Sequence, residues 1–154
     1  MKIIINSNDN FILFFNKLNN ISLNDDYEEE FKKIFLKLKK YYNIDIYGFY
    51  NVEAYIDNYY GTILKVIKDD DFDLYYKQID MHITIEKCNF LYRVRDYFFI
   101  KNIKNFNIYF YKNSFYLEII NELNNKDMLY LIENSEIIYE NIDRIKNYKV
   151  KINS

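Results

Sequence analysis

The chain has 154 residues, half of them apolar, with 21 basic against 23 acidic side chains and a net charge of −2. That balance excludes a disordered chain and fits one globular domain over 1–154, long enough to bury roughly 70% of the surface an unfolded chain exposes. One cysteine, Cys88, excludes an internal disulfide, and apolar runs of five residues such as Phe11–Phe15 are far too short to cross a membrane, so a cytoplasmic protein is expected.

Lys2 to Asn6 reads as a short strand, its apolar run too short for a signal peptide. After the polar break Ser7 to Asn10, Phe11 to Leu18 reads as a second strand joined to the first in a hairpin, although Asp9 could instead cap a helix there. The strongest local signal runs from Asp25 to Asn43. Asp25 is a candidate N-cap with Glu28 three residues on, and Phe31, Ile34, Phe35, Leu38 and Tyr42 recur at helical spacing. Glu28, Glu29 and Glu30 open this helix and Lys37, Lys39 and Lys40 close it, which suits its macrodipole. Glu28 with Lys32 and Glu29 with Lys33 make i,i+4 pairs.

From Ile44 the period changes to two. Ile44, Ile46, Gly48, Tyr50, Val52, Ala54 and Ile56 share one face of a long strand, with Gly48 marking a bulge or a close approach by another element. Asp57 to Gly61 supplies turn chemistry, and Thr62 to Lys68 returns as the second strand of a hairpin. An acidic loop, Asp69 to Asp80, precedes a strand in which Met81, Ile83 and Ile85 alternate with His82, Thr84 and Glu86. Phe90 to Arg95 reads as a short strand, and Asp96 to Asn105 as an irregular stretch holding a short helix. Phe106, Ile108 and Phe110, then Phe115, Leu117 and Ile119, alternate on either side of a turn at Lys112 to Ser114. Asn125 caps a shorter helix through Asn134, and Glu136 to Glu140 and Tyr148 to Ile152 read as closing strands around a turn at Asn141 to Asn147. The sum is an α+β protein, a mainly antiparallel sheet with a principal amphipathic helix over about 25–43 packed on it and a second helix over about 125–134.

Two glycines, far apart, leave no way to write a dinucleotide fingerprint, a P-loop or a nucleophile elbow, so no cofactor is expected. His82 and Cys88 cannot by themselves supply a structural zinc set. Asp69, Asp71, Asp73 and Asp80 occupy the first, third, fifth and twelfth places of an EF-hand loop, but Leu74 stands where glycine makes the sharp turn, so a solvated acidic loop is the reading. Asp80, His82 and Glu86 would have to meet in a pocket for a carboxylate-based metal-dependent enzyme, and no metal site is assigned.

The expectation is therefore a small non-catalytic protein-interaction or regulatory module, an adaptor, inhibitor or immunity-like protein, with a protein partner and room for a homo-oligomer. Its candidate interface aromatics are Tyr47, Phe49, Tyr55, Tyr109, Tyr111 and Tyr116, placed on strand faces read as half exposed. Eighteen tyrosines, no tryptophan and no proline are also what an AT-rich genome produces, which discounts that excess. The alternative is a single-stranded nucleic-acid binder using Lys33, Lys37, Lys40, Arg93 and Arg95 with nearby tyrosine and phenylalanine rings, against which stands the lack of a basic excess.

Overall fold

The computed structural model describes residues 1–7, 10–17, 26–44, 46–69, 78–95 and 103–150. The expected Asp25 cap, most of the acidic loop, much of the stretch after Arg95 and residues 151–152 of the expected closing strand lie outside the described residues. The described part of that expected strand, 148–150, is not a strand but makes one isolated bridge, Lys149 to Tyr109. The fold is α+β, with two sheets whose pairings are mostly antiparallel. Contacts divide the chain into two units, Met1–Ile56 with Gly61–Lys87 and Asp57–Tyr60 with Cys88–Ser154.

The first unit holds a five-stranded sheet in the order β1-β2-β4-β3-β5, made of β1 (Lys2–Ser7), β2 (Asn10–Asn16), β3 (Gly48–Asp57), β4 (Gly61–Lys68) and β5 (Ile79–Lys87). β1 and β2 form the expected hairpin, Ile4 facing Ile12 and Ile5 facing Phe11. Alternation along β2 buries Phe11, Leu13 and Phe15 on one face, which Tyr50, Val52, Ala54, Leu64 and Val66 extend. Helix α1 (Tyr27–Tyr42) covers this face with Phe31, Ile34, Phe35 and Leu38, the stripe its spacing predicts. Phe35 is the keystone: its ring centroid lies 5.8 Å from that of Phe11 and 5.8 Å from that of Tyr50, both edge-on. Burial of such a side chain stabilises by about 1.5–3 kcal/mol before the ring pairs add their share.

Some local details differ from the sequence reading. The helix cap is Asp26, whose carboxylate accepts from the Glu29 amide at 3.3 Å. Lys32 pairs with Glu28 at 2.8 Å as expected, but Lys33 takes Glu30 at 3.0 Å, because a spacing of three brings side chains together as well as a spacing of four. Tyr42 is exposed, since the helix ends at Asn43 in the left-handed region (φ 53°) before another turn can carry the stripe inward. β3 and β5 run parallel, Tyr50 facing Met81 and Val52 facing Ile83, a direction that alternation within one strand does not encode. Gly61 is required where β4 starts: at φ +125°, a Cβ there would lie 2.2 Å from the Phe15 carbonyl oxygen.

The second unit carries a four-stranded antiparallel sheet in the order β7-β8-β6-β9, from β6 (Leu91–Val94), β7 (Phe106–Tyr111), β8 (Ser114–Ile119) and β9 (Ser135–Ile138). Lys112 and Asn113 both adopt positive φ (45° and 57°), the hand that lets a two-residue turn follow the strand twist. Helix α2 (Asn125–Asn134) spans the expected residues, capped by Asn124, whose Oδ1 accepts from the Asp127 amide at 2.9 Å. Where the sequence reads as a turn at 141–147, the chain forms α3 (Ile142–Lys146), because Ile142 and Ile145 at helical spacing find an apolar face formed by Leu91, Tyr109 and Tyr116. Asp57 fixes the turn Asp57–Tyr60 of this unit: its carboxylate accepts from the amides of Tyr59 at 2.7 Å, Tyr60 at 2.6 Å and Phe90 at 2.8 Å.

Candidate functional site

The second unit holds a conspicuous polar constellation. β8 alternates so that Tyr116 and Glu118 point to the face that α3 covers while Leu117 and Ile119 point away, and Glu118 is buried there. Its Oε1 accepts from Asn89 Nδ2 at 3.1 Å and Lys146 Nζ at 2.6 Å, and its Oε2 from Asn107 Nδ2 at 3.1 Å and the Tyr109 hydroxyl at 2.6 Å. Burial alone would push this carboxyl up, but the bonds from Lys146, Tyr109, Asn107 and Asn89 outweigh it and hold the group at about 2. Burial, and then the bond to charged Glu118, pushes the Tyr109 hydroxyl well above its ordinary range. Four donors fill the four acceptor positions a carboxylate offers. A glutamate so occupied has no lone pair left for a substrate proton or a metal, so the cluster acts as a clamp holding α3 to the sheet.

On the other face of the sheet, α2 borders an apolar cleft of about 740 Å³ lined by Val94, Phe106, Leu117, Leu123 and Leu131, with Lys126 among its polar residues. None of Tyr60, Tyr92, Tyr109 and Glu118, whose protonation the fold shifts, lines it. In the first unit, Asp80, His82 and Glu86 share a face of β5 and line neither this cleft nor the small recess at the start of α1. No cluster of three or more metal-ligating side chains occurs among the described residues.

Of the predicted interface aromatics, Tyr47 is exposed, with Lys68 Nζ 4.7 Å above its ring, and Phe49 is half-buried. Tyr111 is half-buried and stacks on Tyr148 at 5.0 Å. Tyr109 and Tyr116 are buried rather than half exposed, because α3 covers them. Tyr55 is also buried, its hydroxyl donating to Glu53 at 3.1 Å, although it lies on the face of β3 away from α1. The cations fall in different units: Lys33, Lys37 and Lys40 stand on α1 in the first, Arg93 and Arg95 at β6 and just after it in the second. Lys33 is held by Glu30 and Arg93 by Glu136.

The feature that sequence reading missed is the outer edge of the first sheet. β1 is its terminal strand, no described strand pairs with its outer side, and Ile4 and Ile5 are 39% and 54% exposed on it. Lys2 is the only charge in β1. The opposite terminal strand, β5, carries Asp80, His82, Glu86 and Lys87, the kind of residues that keep an edge from pairing with other chains. Its one legible signal was compositional, three consecutive isoleucines with no charge between them and the next polar break.

Fold and site define an α+β protein with a clamped polar interior in its second unit and, in its first, a sheet edge whose strand carries a single charge, Lys2. No family model, curated protein or solved structure matches the chain. No described helix is long and apolar enough to cross a membrane.

Proposed function

We propose that this is a cytoplasmic, non-catalytic protein-interaction module whose contact is made by strand addition at β1. The observation that carries the reading is the pair Ile4 and Ile5, exposed on an open edge whose strand carries one charge, Lys2, at its far end. An added strand would satisfy the outward backbone groups of β1 and cover both side chains, each contributing on the order of 1 kcal/mol as a fraction of full isoleucine burial. The saturation of Glu118 supports a non-catalytic role, because this buried charge, with four donors on it, is committed to holding α3.

The test is affinity capture from the host extract with the wild-type chain and with an Ile4→Lys, Ile5→Lys variant whose thermal melt is unchanged. Loss of the captured polypeptides in the variant is expected. Capture that is the same for both overturns the reading.

A further inference from the structure

We infer that the strand added to β1 is β1 of a second copy of this chain, antiparallel about a two-fold axis through Ile4. The inference rests on the strand-addition reading above and names its partner. The first ground is the register. A two-fold axis perpendicular to a continuous sheet keeps both copies of α1 on the same side only when facing residues have the same parity. Centring the axis on Ile3 sets Lys2 against Ile4, and centring it on Ile5 sets Ile4 against Asn6. With Ile4 at the centre, Ile4 faces its own counterpart and Ile3 faces Ile5 twice, all within the regular part of β1 that ends at Ile5 before the register shift at Asn6, so every isoleucine of the strand meets an isoleucine.

The second ground is charge. In this register the two Lys2 residues are four positions apart along the paired strands, roughly 14 Å, which exceeds the Debye length at physiological salt. No like charges face each other anywhere in the pairing, because Lys2 is the only charge in β1. The third ground is continuity with the existing core. Ile3 already packs against the cluster under α1, and Ile5 faces buried Phe11 across the hairpin. An Ile5 from the second copy, set against Ile3, therefore prolongs an apolar layer that now stops at the strand edge. The result is one ten-stranded sheet across two copies, with a contact area at the small end of specific interfaces and a correspondingly concentration-dependent dimer.

Light scattering and sedimentation over a wide concentration range test the assembly, and cysteine cross-linking tests the register. In a Cys88→Ser background, Ile4→Cys is expected to give a covalent dimer with a short bismaleimide. Ser7→Cys is expected to give none, because the two copies of position 7 lie roughly 20 Å apart in this register. Ile4→Lys, which sets two cations face to face on the axis, is expected to weaken dimerisation about tenfold or more with the monomer's melt unchanged. A chain that stays monomeric throughout, an Ile4→Cys variant that does not cross-link, or a dimer indifferent to Ile4→Lys overturns the self-pairing. If self-pairing fails while the β1 variant still loses polypeptides from the host extract, the interaction edge stands and only its occupant is wrong.

Discussion

Lys146 Nζ stands 2.6 Å from Glu118 Oε1, joining the last helix to a strand 28 residues earlier. The carboxylate side chain is 8% exposed and the lysine 30%, so solvent screens this pair far less than a surface ion pair. Lys146→Met leaves the buried carboxylate short of its cationic partner, and a loss of about 2–4 kcal/mol of unfolding free energy is expected, scaled down from a fully buried pair. Glu118→Gln should cost a comparable amount at neutral pH, since it removes the charge and turns an amide NH2 toward donors that the carboxylate oxygen accepted from. Urea melts of the two variants check both; a Glu118→Gln chain as stable as wild type at pH 7 would mean that the charge on Glu118 does not matter.

The same carboxylate sets an acid limit. Its folded pKa of about 2 lies below the ordinary 4.5, so the unfolded chain binds the proton more readily than the folded one. The stabilisation is therefore complete above about pH 5 and is lost as the pH falls from there toward 2, amounting to on the order of 3 kcal/mol. Denaturant midpoints measured from pH 7 to pH 2 should converge for wild type and Glu118→Gln at the acid end. A constant gap across that window would refute the assignment. At the alkaline end the sign reverses: burial pushes Tyr60 up to about 12, so its contribution is whole below pH 10 and fades as the pH rises from there.

Phe35 anchors the first unit, and its loss should be felt through two ring contacts at once. Phe35→Ala is expected to cost about 3–5 kcal/mol, and Phe35→Asp to leave the chain unfolded. Far-UV circular dichroism during a thermal melt reads both. If 1–154 unfolds as one domain, Phe35→Ala and Lys146→Met will each shift a single transition; two transitions, each moved by one substitution, would show independent units.

Tyr92 offers the opposite sign. Its ring is buried in the sheet of the second unit and its hydroxyl has no hydrogen-bond partner among the described residues, while burial, with Asp57 and Tyr60 nearby, drives its pKa far upward. Tyr92→Phe removes an unsatisfied hydroxyl at nearly constant shape, so the variant should be as stable as wild type or more so, by up to about 2 kcal/mol. A measured destabilisation would reveal a partner for that hydroxyl.

Sequence alone determined what is decided within a few residues: the stripe of Phe31, Ile34, Phe35 and Leu38, the hairpins on either side of Asn10 and of Lys112, and the extent of α2, because periodicity and turn chemistry act over one or two turns of chain. The α+β class followed from them. Tertiary structure decided which strands are neighbours. It made β5 run parallel to β3, turned residues 142–146 into a helix by giving Ile142 and Ile145 a surface to meet, and buried the tyrosines beneath it. It also gathered Asn89, Asn107, Tyr109 and Lys146 around Glu118, and left Ile4 and Ile5 at an edge rather than inside the sheet. An isoleucine-rich strand reads the same in either position, because edge or centre is set by pairing with segments far along the chain, and no local pattern records that pairing.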